Sequence, residues 1–509
     1  MNNELKAPAA KPAGMLVSAV AAASLLALLT LAGCATGPEY QRPDAPLATS
    51  FHTSGALAER KTALPAPALD TWWNGFNDPA LQRIVTRVLE QNLDLAAAMA
   101  RVDQARAASR LADARLLPEG SLSAGVAHQR QSLNSPEGRL ASGTPGYNRE
   151  QSLYNAGIGA SWELDVAGGL RRGAQGASAE AQAAEADRLG VRVSVTAEAA
   201  DAYFRVRGAQ RRIALAQEQI ATNARLLELV RLRVADGLAS SREAAQAEAL
   251  VSQARATVPP LRIELEVQLN RLDVLMGAAP GTYATELAPP TGQAAGVGVT
   301  ASRDAAPGGL TETGVPAIEL AQGPADLLRR RPDVIAAERR LAASNAQIGA
   351  AMAEYYPKLS LSALLGVTSL GSSGLLSAAS LQPQVAAGLR WRLFDFGRID
   401  ADVARAKGAN AEALAAYRKA VLRAAEDVEN AVVTLTQVEL QHHELSEEVD
   451  AHTRARDASE QAWQGGAVSL YEVLEEQRQL LASRDQMARV NADNARAAVA
   501  TFRAAGGGW

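Results

Sequence analysis

Leu153-Tyr154-Asn155-Ala156-Gly157-Ile158-Gly159-Ala160-Ser161-Trp162-Glu163-Leu164 puts an apolar residue at every second position and a small or polar one between. A period of two predicts a β-strand with one apolar and one small or polar face. The length suits a membrane-spanning strand, for which about 9–11 residues suffice. Taken singly, the segment reads more simply as a half-buried strand of a soluble sheet, so its surroundings must decide.

Downstream, the chain turns at Gly168 and becomes helical. No proline occurs from Gly146 to Val258, a run of 113 residues, and Ala, Arg, Leu, Glu and Gln fill it. Proline breaks helix interiors and these residues favour them. One helix from Arg172 to Ala235 would be roughly 96 Å long at 1.5 Å per residue, too long for an ordinary globular domain. Ile213, Ala216, Ile220, Leu227, Val230 and Val234 follow a three-four stagger broken only by Asn223, which predicts a coiled-coil seam.

The same pattern recurs 229 residues later without a gap. Trp162 matches Trp391, Gly168 matches Gly397, Gly237 matches Gly466, Ser240 matches Ser469, Glu243 matches Glu472 and Gly277 matches Gly506. A second proline-free run extends from Gln384 to Trp509, 126 residues. In this copy His442, Leu445, Val449, His452, Arg456, Ser459 and Trp463 take the seam places, so the copies pack similarly but not identically. Gly after each long helix, then Ser-x-x-Glu, is a helix stop followed by a capping box. Each copy is therefore a helical hairpin with two long arms. An earlier repeat has an offset of 239: Arg101 matches Arg340, Pro118 matches Pro357, and Ser121 and Ser123 match Ser360 and Ser362. Helix, proline and strand follow in that order in both.

Four segments thus read as strands: Ser121–Gln129, Leu153–Leu164, Leu359–Val367 and Val385–Leu393. Trp162 and Trp391 fall near strand ends, where an interfacial aromatic belt would place them. Four strands cannot close a membrane barrel, and lipid tolerates no open edge. Several chains must then share one barrel, which requires cyclic assembly.

The N-terminus gives the compartment. Lys6 and Lys11 precede an apolar run from Met15 to Ala32, and Leu31-Ala32-Gly33-Cys34 is a lipobox ending in the only cysteine of the 509 residues. Diacylglycerol on Cys34 is the expected modification, and Ala35 after it favours outer-membrane sorting. A formal net charge of -4 points to neither nucleic acid nor a polybasic membrane mode. By segments, residues 1–33 read as a lipoprotein signal, 34–75 as a lipidated N-terminal segment, 76–276 as the first repeat, 277–316 as a Gly- and Pro-rich linker and 317–509 as the second repeat.

The chain resembles the TolC-like outer membrane factors, in particular the NodT-type lipoprotein branch serving resistance–nodulation–division efflux pumps. The blocks that carry the likeness span nearly all of the mature chain. They are Gly37-Pro38-Glu39-Tyr40-Gln41-Arg42-Pro43, Trp72-Trp73 with Phe76 and Asp78-Pro79, Asn92-Leu93-Asp94-Leu95, Pro324 to Asp333, Phe394-Asp395-Phe396-Gly397-Arg398, and Gly506-Gly507-Gly508-Trp509. The resemblance implies a mainly α chain with a share of a membrane β-barrel. Three chains would give twelve strands above a periplasmic helical barrel with an equatorial region. It implies a lipid-anchored exit duct in the outer membrane, docked to a periplasmic adaptor and an inner-membrane pump. The chain departs from the family pattern at Ala167 (no aromatic), Gly323 (for Leu), Trp463 (for Tyr) and Glu475 (for Asp).

No nucleophile elbow, phosphate loop or Cys/His cluster is present, and His442-His443 lack the i, i+4 spacing of helical metal pairs. A non-enzymatic duct without cofactor, apart from lipid on Cys34, is expected. Glu472, Glu475 and Glu476 follow the second turn, where the first copy has Glu243, Gln246 and Ala247. The resemblance places Glu472 and Glu475 at a periplasmic gate; Arg478, one turn beyond Glu475, is spaced to pair with it, either holding the mouth shut or as a plain surface i, i+3 partner. Gly237 and Gly466 mark adaptor-docking tips. A type I protein-secretion duct and a lipid-anchored periplasmic coiled coil are the competing readings.

Overall fold

The computed structural model describes residues 35–44, 50–58, 60, 64–288, 315–318 and 323–509. Cys34, the expected signal and most of the expected linker lie outside the described residues. The chain forms two compact units, each drawing on both repeats. Among the described residues, one comprises those up to 43 with 103–182 and 338–415, and the other those within 44–102, 183–337 and 416–509.

The elements that place the functional residues are α1 (Pro79–Gln91), α2 (Leu93–Ala114), β1 (Glu119–Arg130), β2 (Glu150–Leu164), α3 (Gly169–Ala235), α4 (Ser241–Ala256), α5 (Val258–Leu275), α6 (Pro332–Met352), β3 (Lys358–Ser369), β4 (Leu381–Arg390), α7 (Arg398–Gln464) and α8 (Leu470–Ala504). Two helices of 67 residues, α3 and α7, occupy the proline-free runs. Pro259 and Pro260 mark the first return arm, which breaks at Thr257 into α4 and α5, whereas α8 continues for 35 residues. Proline removes a helical donor, so the break falls where the sequence put it.

In the first unit the four strands form one antiparallel sheet in the order β1-β2-β3-β4. Its register aligns Leu122 with Ile158, Ile158 with Leu365, Trp162 with Leu361, and Ala363 with Val385. Because side chains alternate between faces, this pairing gathers the apolar set on one face and Ser123, Gly157, Ser161, Ser362 and Gly388 on the other. Both β1 and β4 are solvent-exposed along their whole length. Leu122 is 79% exposed and Val385 84%, so these strands need an environment that a single chain does not supply. The expected fourth strand, Val385–Leu393, is shifted: β4 starts at Leu381, contains Pro383 and stops before Trp391. It is the last strand of this chain's own sheet, and Pro383 lies close to its start.

In the second unit, Trp72 is fully buried and stacks on Phe502 at 5.3 Å, and Phe76 packs on Phe204 at 5.0 Å. Asp78 caps α1 through the amides of Ala80 and Leu81 and accepts a 2.5 Å bond from the Tyr203 hydroxyl. The expected seam on α3 is rotated. Ile213, Ala216, Ile220, Leu227, Val230 and Val234 are only half-buried, while Leu215, Asn223 and Leu226 are buried. Leu215 clusters with Leu481 and Ala488 of α8, whereas Asn223 reaches Leu250 of α4. With partners on two sides, α3 buries the line between them rather than a single two-helix seam.

The duplication extends to individual bonds. In the first unit the Trp162 indole donates to the Leu116 carbonyl at 2.9 Å, and Trp391 donates to the Tyr355 carbonyl at 3.0 Å. In the second unit Asn92 Nδ2 donates to the Leu275 carbonyl at 2.9 Å, and Arg331 Nη1 donates to the Ala504 carbonyl at 3.2 Å. Donors and acceptors in each pair stand at the offsets of 229 or 239 found in the sequence.

Candidate functional site: the hairpin tips

Both hairpins reverse in the same way. Gly237 and Gly466 each adopt φ +74°, a left-handed conformation that a residue with a Cβ rarely takes. The amides of Leu238 and Ala467 then close back on the carbonyls of Arg233 and Ala462 at 2.7 and 2.8 Å. Ser240 and Glu243 form a full capping box at the start of α4, and Ser469 and Glu472 form one at the start of α8. The Glu472 carboxylate accepts from the Ser469 hydroxyl at 3.2 Å and its amide at 3.4 Å. This is the capping role that its counterpart Glu243 also fills.

Chemistry separates the tips one turn later. Glu475 receives two bonds from Arg478, Nε at 3.0 Å and Nη2 at 2.5 Å, and a third from Gln479 at 3.1 Å. The Arg478 guanidinium holds the Glu475 carboxyl below its usual range. The pair remains over one-third exposed, at 36% for Glu475 and 41% for Arg478. The first hairpin has Gln246 and Ala247 here, with no acid at either place. A groove of about 650 Å³ runs between α3, α4, α5 and α8, with Arg478 and the Arg212–Asp485 ion pair on its wall. Among the described residues no group of three or more His, Cys, Asp or Glu could hold a metal ion.

Away from the tips, the segment after Cys34 is tied down within the first unit. Thr36 donates through its amide and hydroxyl to the Ala167 carbonyl, each at 3.0 Å. Arg172, almost fully buried, reaches the Thr36 carbonyl at 3.1 Å and the Glu39 carboxylate at 2.5 Å. Tyr40 donates to Glu338 at 2.5 Å and Asn345 donates to the Pro38 carbonyl at 3.0 Å.

Residues 84–278 and 323–507 match the family model described as outer membrane efflux protein. The chain belongs to this family. It is 30% identical over 470 residues to Nodulation protein T of Rhizobium leguminosarum bv. trifolii, covering 91% of each chain. It is 33% identical over 442 residues to the pyoverdine export outer membrane protein OpmQ of Pseudomonas aeruginosa, covering 86% of this chain and 87% of the relative. Among solved structures, the outer-membrane channel OprN aligns with a TM-score of 0.78 at 30% identity, covering 94% of this chain and 100% of that one.

The outer membrane efflux protein described here is therefore a channel of the outer membrane and not an enzyme. Of the two ducts considered, efflux is the one supported and protein secretion is not. Its fold class is the expected one, mainly helical with four strands in one sheet, and it is the fold of an outer-membrane channel. Some residues escaped sequence reasoning. Arg331 sits inside the block that carried the resemblance, yet its bond to Ala504 becomes visible only by matching it to Asn92 at the 239-residue offset. Arg172 and Glu39 form a pair 133 residues apart, for which no local pattern exists.

Proposed function

We propose that three copies of the chain form the exit duct of a tripartite pump, closed at its periplasmic mouth by the second hairpin. Around the threefold axis, three Glu475 carboxylates, with help from Glu472, make a ring that favours cations and opposes passage of anions. The observation carrying this reading is the half-exposed Glu475–Arg478 pair, placed one turn from the tip in one hairpin only. Glu472 is committed to the cap, so Glu475 is the principal carboxylate. Crowding on the axis raises the carboxyl pKa while Arg478 lowers it, so the ring stays charged further into acid than an unpaired ring would.

The matching turns at Gly237 and Gly466 suit a repeated docking surface for a periplasmic adaptor, which would join the duct to a resistance–nodulation–division pump in the inner membrane. Trp162 and Trp391, each latched to a helix-end carbonyl, suit the membrane interface. Lipid on Cys34 would enter at the same level, because Thr36 is bonded to Ala167 just beyond the end of β2. The repeats 76–276 and 317–509 are the duplicated units, joined by 277–316. The nature of the exported compound is left to the pump.

The decisive measurement is reversal potential in planar bilayers across a salt gradient. Replacing Glu475 by Gln should reduce cation preference strongly, and the double change with Glu472→Gln should reduce it slightly further. Cation preference unchanged in the double variant would overturn the gate assignment.

A further inference from the structure

The two hairpins differ at one more set of matched positions, within the second unit and closer to the middle of the arms. In the first, Gln219 Nε2 donates to Asn223 Oδ1 at 2.9 Å, and Asn223 Nδ2 donates to the Leu250 carbonyl at 3.0 Å. These are neutral amides, and Ala247 on α4 is buried. At the 229-residue offset the same three places hold Glu448, His452 and Glu476. His452 Nε2 lies 4.0 Å from Glu448 on its own helix, and its Nδ1 lies 3.8 Å from Glu476 on the returning arm. Glu448 in turn accepts a 2.6 Å bond from Ser483 of α8.

We propose that His452 is a proton-operated clasp between the arms of the second hairpin. Histidine is the side chain whose charge ordinarily changes between about pH 5 and 8. When protonated, the imidazolium stands between one carboxylate from each arm and attracts both. When neutral, it leaves Glu448 and Glu476 without a cation between them. Other charged groups stand on the flanking turns of both arms and on α3. On α7, Arg456 contacts Asp457 at 2.7 Å and reaches Gln477 of α8 at 3.4 Å. On α8, Glu475 is held by Arg478, and burial first, then the like charges of Arg456 and of Arg211 of α3, push the Arg484 guanidinium below its usual value against the pull of Glu218 of α3. Acid therefore tightens the arms until the carboxylates themselves protonate. The first hairpin, lacking any titratable group at these positions, does not respond. The clasp touches Glu476, the residue next to Glu475, but its test does not depend on the gate reading.

Hydrogen exchange on the full-length protein in lipid nanodiscs tests it, with rates corrected for the intrinsic effect of pH. Amides 471–481 should gain about two- to fivefold protection at about pH 5.5 relative to pH 7.5, the range a half-exposed ion pair provides. Amides 242–252 are the matched control in the same molecule and should show no gain. In His452→Asn, which copies the first hairpin, and in Glu476→Ala, the gain at 471–481 should disappear. Its persistence in either variant, an equal gain at 242–252, or no gain in the native protein would overturn the proposal.

Discussion

The two halves of this chain agree where the backbone must be finished and disagree where it need not be. Turns, capping boxes and helix-end carbonyls coincide, down to Gly237 and Gly466 at one φ and Trp162 and Trp391 with equivalent acceptors. A helix end leaves unpaired amides or carbonyls in every copy, so each copy must supply a partner for them. Along the arms no such obligation exists. There Gln219, Asn223 and Ala247 of the first hairpin hold the places that Glu448, His452 and Glu476 take in the second. Duplication has conserved the geometry and released the arms for different electrostatics. Positions where the copies diverge are thus better guides to function than positions where they match.

The largest test of this contrast lies where one obligation is met by different chemistry. Asn92 and Arg331 both serve a helix-end carbonyl, but Arg331 also bonds the Ala424 carbonyl, Asp333 and Asp427. Arg331→Met leaves the buried Ala504 carbonyl at the end of α8 unpaired and breaks the bonds to Asp333 and Asp427, and should cost about 2–4 kcal/mol. Its two aspartates are half-exposed and rehydrate, which keeps the loss below that of a fully buried pair. Asn92→Ala loses one carbonyl partner and one cap to Leu95, about 1–2 kcal/mol. Far-UV circular dichroism melts in detergent would measure both. Equal losses would mean that Arg331 does no more than copy Asn92.

A smaller effect is expected inside the first hairpin. Asn223→Ala removes the donor to the Leu250 carbonyl and should destabilise the hairpin by about 1 kcal/mol. Gln219, Asn223 and a backbone carbonyl do not titrate, so the loss should be the same in acid and at neutral pH. A loss that changes with pH would remove the distinction between the two arm pairs.

The sequence made much of this legible because its signals are long. Proline-free runs of more than 100 residues, a constant offset and strict alternation in the strands each extend over many positions, and together they specify hairpins and sheet. The capping boxes were also readable, because Ser-x-x-Glu is a local pattern with a local cause. What escaped depended on which residues meet across the fold. Asn223 looked like a defect in a seam, and only packing against α4 on one side and α8 on the other makes it a buried, bonded residue. His452 stood in the seam as a weak apolar substitute until Glu476 of the opposite arm was placed against it. The start of β4 at Leu381, with Pro383 inside the strand, also fell outside the expected Val385–Leu393. The gate residues occupy an intermediate position: their charge was readable, and the Glu475–Arg478 spacing suggested a pair, but cap and pair had to be told apart by geometry.

That last distinction supplies the smallest prediction. Glu475 and Arg478 are a pair three residues apart on one helix face, and both remain more than one-third exposed. Solvent screening limits such a pair to a few tenths of a kcal/mol. Because Arg478 lowers the Glu475 pKa in the folded protein, its contribution is present above the ordinary carboxylate value of 4.5 and is lost as pH falls through the lowered value. Arg478→Gln should therefore lower the melting temperature slightly at neutral pH, and the difference from the native protein should vanish below the carboxylate range. The first hairpin has Gln246 where Glu475 stands, so a change there should leave the pH dependence untouched. A large stability loss in Arg478→Gln would mean that the pair is structural and that its exposure at the tip serves no gate. A small loss, together with altered closing of the channel, would separate the roles: Glu472 caps the helix as Glu243 does, and the pair one turn on is free to act in conduction.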